Sequence, residues 1–138
     1  MNHWLLLTRL ERHADQTLLL LRVVVGAFLI WGVWDNIAST TRMHEFAEFL
    51  AKFQFPVPAF MAQLSVWIQF AIGIAFILGA FTRWAGILCT INFIVAIVMV
   101  DRFAGLRGAF GSICLVLIGL YLATQGAGRF SVDSRWKS

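Results

Sequence analysis

The chain has 138 residues, of which 60% are hydrophobic and 13% charged, with a mean hydropathy of +0.81. Such a composition leaves almost nothing from which to build a separate soluble domain, and one compact all-α membrane domain is expected over residues 1–138. The net charge of +4 does not point to nucleic acid, because the Lys and Arg residues stand at the ends of apolar runs rather than in a patch interleaved with exposed aromatics.

In chain order, the first apolar run is Thr17 to Ile37, interrupted by Arg22 and, close to its end, by Asp35. It carries Trp31 and Trp34 where a cleaved signal would need small residues, so it is expected to be retained as a span. Arg22 lies about two turns inside the helix end. Its long stem would let it snorkel to the head groups, or it faces the bundle and binds an anionic or carbonyl group beside Gly26.

Between the first two spans, Met43, Phe46, Phe49, Leu50 and Phe53 recur at helical spacing, with Arg42, Glu45, Glu48 and Lys52 on the other side. A short amphipathic helix over about 41–54 is expected, lying in the membrane interface or packed across the bundle mouth. Glu48 and Lys52 have the spacing of an i,i+4 pair. Pro56 and Pro58 stop this helix.

No formal charge occurs between Lys52 and Arg83, between Arg83 and Asp101, or between Arg107 and Arg129. These stretches hold three more spans, about 60–81, 84–101 and 107–126. At ~1.5 Å per residue each matches a hydrocarbon core about 30 Å thick. The whole is a four-helix bundle. With both termini in the cytoplasm, Arg9, Arg12, Arg83, Arg129, Arg135 and Lys137 lie inside, and Arg42, Lys52, Arg102 and Arg107 outside. Aromatic belts agree: Trp4, Trp84, Tyr121 and Trp136 fall toward one interface, Trp31, Trp34 and Trp67 toward the other.

Each span carries a stripe of small or polar residues that marks an inward face. The stripes are Arg22, Gly26, Leu29, Val33 and Asn36; Ala62, Ser65, Gln69, Gly73, Phe76 and Ala80; Ala85, Cys89, Asn92, Ala96 and Met99; and Gly108, Ser112, Leu115, Gly119, Ala123 and Gly126. Small residues let helices approach closely in lipid, and amides there must find partners. Gln69 and Asn92 sit at matching depths on antiparallel neighbours. They form an interhelical clasp, or, with Arg22, they orient a ligand head group such as a quinone carbonyl.

Several chemistries have no residues to carry them. His3, His13 and His44 lie outside the spans, so the histidine pair of a bis-His haem is missing, and Cys89 and Cys114 differ in depth by too much for a disulfide. Asp35 and Asp101 stand at span ends rather than at mid-membrane, and no metal cluster, phosphate loop or nucleophile with a nearby base can be assembled.

The order Arg22-x-x-x-Gly26 with Trp31-Gly32, then Gln69-x-x-x-Gly73 followed by Leu78-Gly79-Ala80-Phe81-Thr82-Arg83, and the closing Gly126-Ala127-Gly128-Arg129-Phe130-Ser131-Val132-Asp133 resembles the DoxX family of small membrane proteins. The resemblance implies a four-helix inner-membrane protein, a subunit associated with a quinone-linked redox complex. Such a subunit either binds quinone through Arg22, Gln69 and Asn92 or serves in structure and assembly with no ligand of its own. Its implied partners are the bilayer, other membrane subunits or further copies of itself, and no nucleic acid. The chain departs from the family pattern at Gln69, where many relatives carry Glu.

Overall fold

A computed structural model describes residues 7–136; His3, Trp4, Lys137 and Ser138 lie outside the described residues. The regular elements of the described chain are all helices, and four of them are long and apolar enough to cross a membrane. They are α1 (Ala14–Ala38), preceded by a 3-10 turn Thr8–His13, then α3 (Pro58–Leu78), α4 (Thr82–Met99) and α5 (Gly105–Gln125). The amphipathic helix α2 (Thr40–Lys52) joins the first two spans, a 3-10 turn Asp101–Ala104 joins the last two, and a short α6 (Val132–Trp136) closes the chain.

The bundle is built from two tight pairs, α1 with α3 and α4 with α5, which meet along α3 and α4. In lipid no hydrophobic force drives helices together, so close backbone approach through small residues must supply the packing. Gly26 and Gly73 do this in the first pair: a Cβ on Gly26 would stand 2.6 Å from the Gly73 carbonyl oxygen, and one on Gly73 2.7 Å from that of Gly26. Gly86 and Gly119 do it in the second pair, where a Cβ on Gly86 would stand 2.6 Å from the Gly119 carbonyl oxygen. Thr90 adds a polar contact there, its Oγ1 donating to the Gly86 carbonyl (2.9 Å) and lying 3.5 Å from that of Val116. One apolar core runs through all four spans, with Leu29, Ile72, Phe76, Cys89 and Leu122 at its centre.

The inward stripes expected from spacing are largely the buried faces, among them Arg22, Gly26, Leu29 and Val33 on α1 and Ala62, Gly73 and Phe76 on α3. Gly108 departs from this expectation and is exposed, while its neighbour Ala109 is the buried residue of that turn.

Helix α2 packs across the mouth of the bundle. Ser39 caps it, its Oγ accepting from the Arg42 amide (3.4 Å), while Asn36 Nδ2 donates to the Arg42 carbonyl (3.2 Å). Met43 and Leu50 bury themselves against Val33, Ala62 and Val66. On its outer side the ion pair within reach is Arg42–Glu45 at 3.6 Å, not the Glu48–Lys52 pair that the spacing allows. Two exposed side chains gain little from being held in one geometry, so spacing alone does not select the pair.

The close approach in the second pair has a direct test. Gly86→Ala pushes a methyl into a backbone carbonyl and is expected to destabilise the protein by about 1–3 kcal/mol in denaturant titrations in detergent. Gly111→Ala, where a Cβ meets nothing within 4 Å, is expected to be neutral or slightly stabilising. Equal stabilities for the two variants would contradict the packing described.

Candidate functional site

The polar residues concentrate where the start of α1 meets the segment after α5, and helix ends explain why. The last turn of every helix leaves carbonyl oxygens with no amide to accept from, and the first turn leaves amides with no acceptor. Away from water each such group must find another partner.

At the C-terminus of α3, Gly79 takes the left-handed conformation (φ 71°) and donates its amide to the Ala75 carbonyl at 2.8 Å. The Phe76 carbonyl accepts instead from Arg22 Nη1 at 3.2 Å. Arg22 Nη2 donates to the Phe130 carbonyl at 2.5 Å, so a single guanidinium on α1 ties the end of α3 to the segment that follows α5. Arg22 is fully buried at 0% exposure, which rules out the snorkelling alternative. A cation at a helix C-terminus also meets the negative end of the helix dipole.

The segment 126–134 forms a strap over this end. Gly126 and Gly128 turn it with φ of 84° and 81°, and Leu18 occupies the space a Gly128 side chain would need. The Arg129 amide donates to Asp15 Oδ1 at 3.3 Å. Ser131 Oγ donates to the Gly128 carbonyl (2.7 Å) and accepts from the Ser134 amide (3.1 Å). At the far end of the strap, Asp133 Oδ1 accepts from the Phe81 amide (2.7 Å) and Oδ2 from the Thr82 amide (2.8 Å), which caps the N-terminus of α4. The Asp133 amide returns a bond to the Gly79 carbonyl at 2.9 Å. Phe81 is held left-handed (φ 52°), a strained state for a bulky residue that these bonds over-determine.

Arg83 completes the set by donating from Nη1 to the carbonyls of Ala123 (3.0 Å) and Thr124 (2.5 Å), the unpaired last turn of α5. Gly79 has no room for a side chain, since the Arg22 guanidinium and Ser131 stand where its Cβ would be. Asp133 places a negative charge near buried Arg22 and offsets part of the cost of burying it. Two buried polar atoms of this knot, Arg22 Nε and Thr82 Oγ1, have no hydrogen-bond partner among the described residues.

Of the residues expected to bind a ligand, Arg22 and Gln69 have protein partners at separate depths. Gln69 Nε2 donates to the Leu29 carbonyl at 3.1 Å, not to Asn92. Gln69 lies seven residues from Phe76 on α3, about 10 Å along the axis, so Arg22 and Gln69 do not converge on one point. A quinone held by all three residues therefore does not fit this arrangement. Asn92 is half-buried on α4, and its amide makes no hydrogen bond among the described residues. Cys89 and Cys114 are free thiols, and Cys89 Sγ lies 3.6 Å from the Leu115 carbonyl.

The DoxX family model matches residues 17–102. The chain belongs to the DoxX family. The matched region contains Arg22, Gly79, Thr82 and Arg83, whereas the strap that binds the first three and the α5 end that binds Arg83 lie beyond it. No curated protein and no solved structure matches this DoxX chain.

Limited proteolysis reads out the strap. Arg22→Lys replaces a planar fork by a point charge and cannot span both carbonyls as the guanidinium does. Trypsin is expected to cut after Arg129 faster in Arg22→Lys, and faster still in Arg22→Leu, while far-UV circular dichroism stays unchanged. Wild-type cleavage rates in both would show that Arg22 does not hold the strap. Asp133→Ala is expected to cost at least the ~0.5–2 kcal/mol of an N-cap, measured by denaturation in detergent.

Proposed function

We propose that this DoxX-family protein is a non-catalytic membrane subunit of a quinone-linked redox complex, contributing a rigid four-helix body to the assembly. The observation that carries this reading is that both terminal nitrogens of Arg22 and the amide nitrogen of Gln69 donate to carbonyls of their own chain. Their polarity serves the bundle's internal order, as a scaffold requires. Redox association comes from the family resemblance, and the chain's side chains offer no electron-carrying group, so electrons would pass through a partner.

The lipid-facing surface offers a place for that partner. The most apolar window of the fourth span is 17% buried by its own chain, against 28–33% for the other three. On that span Gly108 and Gly111 are exposed, which would let another transmembrane helix approach closely. The basic-residue bias supports an inner-membrane orientation with both termini in the cytoplasm.

One observation favours a second reading, in which the protein itself contacts quinone: the unbonded, half-buried Asn92 amide can donate to a carbonyl oxygen. Such a contact would rest on Asn92 rather than on the three residues together.

Two measurements separate these readings. Purified from native membranes in a mild detergent, the tagged full-length chain is expected to migrate with larger proteins whose absorbance shows flavin, haem or iron–sulfur. Migration alone, with no redox cofactor in the fraction, would overturn the subunit assignment. A short-chain quinone that stabilises the isolated protein by about 2.7 kcal/mol at 100 times its Kd, and does not stabilise Asn92→Leu, would establish the second reading instead.

A further inference from the structure

At the end of the bundle opposite the strap, the last turn of α2 meets the turn between α4 and α5. A cavity of about 490 Å³ opens there, lined by Lys52, Phe53, Gln54, Met99, Arg102 and Phe103. Its chemistry is divided. Lys52 and Arg102 bring two cations to one mouth, while Phe53, Phe103 and Met99 supply an apolar wall. The rings of Phe53 and Phe103 meet at a tilt of 39° with centroids 6.0 Å apart, and the Arg102 guanidinium lies 4.6 Å over the Phe103 ring, which orients it beside the opening. The acidic group closest in sequence, Asp101, is engaged by the Ser112 hydroxyl, and neither it nor Glu48 lines the cavity.

The backbone around this opening is held in an unusual state. Gln54 is left-handed at φ 64°, with its amide donating to the Ala51 carbonyl at 3.1 Å, and this turn directs the chain around the cavity rim. The cavity also sits where the spans end, at the height of the lipid head groups in a spanning orientation. Paired cations over an apolar wall, at that depth, complement a phosphate joined to a hydrocarbon stem.

We propose that this cavity binds the head group of an anionic phospholipid, with Lys52 and Arg102 against the phosphate oxygens and Phe53, Met99 and Phe103 against the glycerol and first methylenes. The proposal is independent of the assignment as a redox subunit. It makes the lipid a wedge between α2 and the α4–α5 turn, two parts of the chain that touch there through the Phe53–Phe103 contact.

The test uses delipidated full-length protein in a neutral detergent, titrated with phosphatidylglycerol, phosphatidylcholine or inorganic phosphate. Binding is read by native mass spectrometry and by the rise in melting temperature. Phosphatidylglycerol is expected to bind and stabilise, phosphatidylcholine to do so weakly, and inorganic phosphate to have no effect at the same concentration. The double variant Lys52→Gln/Arg102→Gln is expected to bind phosphatidylglycerol at least about tenfold more weakly while melting like wild type without lipid. The control Arg42→Gln/Arg107→Gln, which removes the same charge from the same end of the bundle outside the cavity, is expected to bind like wild type. Equal weakening in both double variants would show general surface attraction and overturn the site. Should the Lys52/Arg102 variant fail to fold, Phe103→Ala gives the same test through the apolar wall. Binding of free phosphate as tight as that of the lipid would overturn the lipid assignment.

Discussion

The structure depends on how helix ends are satisfied away from water. A transmembrane helix closes its own hydrogen bonds along its length and leaves them open at its two ends. At the end where the start of α1 meets the strap, this chain closes them with side chains from other helices. Arg22 accepts that task for α3, Arg83 for α5 and Asp133 for α4. Each charge has the sign that the local helix dipole favours. Because the donors and acceptors lie on different helices, capping and tertiary packing become one interaction.

The two motifs that carry the family resemblance are thereby explained together. Gly79 is bare because the Arg22 guanidinium and Ser131 fill the space of its Cβ. Phe81 and Thr82 turn into α4 because Asp133 receives both their amides. The strap residues Gly126 and Gly128 supply the left-handed turns that carry Asp133 back across the bundle. Further from this knot, glycine pairs Gly26–Gly73 and Gly86–Gly119 set the distance between helices. Polar chemistry locks one end, and small residues set the spacing along the rest.

Much of the fold was legible in the sequence, because charge-free runs of spanning length and a 3,4-spaced apolar face are local signals. The first helix and its inward stripe from Arg22 to Val33 could be read this way, as could α2, although it ends at Lys52, before either proline, and Pro58 opens α3. The partner of Arg22 could not. It bonds to main-chain carbonyls, which every residue possesses, and one of them lies 108 positions away in a strap with no periodicity. The acceptor of Gln69 is hidden for the same reason: it is the Leu29 carbonyl, which carries no side-chain signal, rather than Asn92 on the neighbouring span. Thr90 and Gly86 escaped notice because a threonine and a glycine in an apolar helix look ordinary until the facing helix is in place. The cavity at Lys52 and Arg102 arises from two loops far apart in sequence, and composition alone cannot bring them together.

The claim that Arg22 and the strap act as one unit is most directly tested by a double-mutant cycle between Arg22→Met and Asp133→Asn, with unfolding free energies measured in detergent. Residues in one charge and hydrogen-bond network are coupled by about 0.5–3 kcal/mol, and a coupling of that size is expected here. Additivity within about 0.3–0.5 kcal/mol would mean that the two residues act independently, and the knot would not be the unit that holds this end of the bundle.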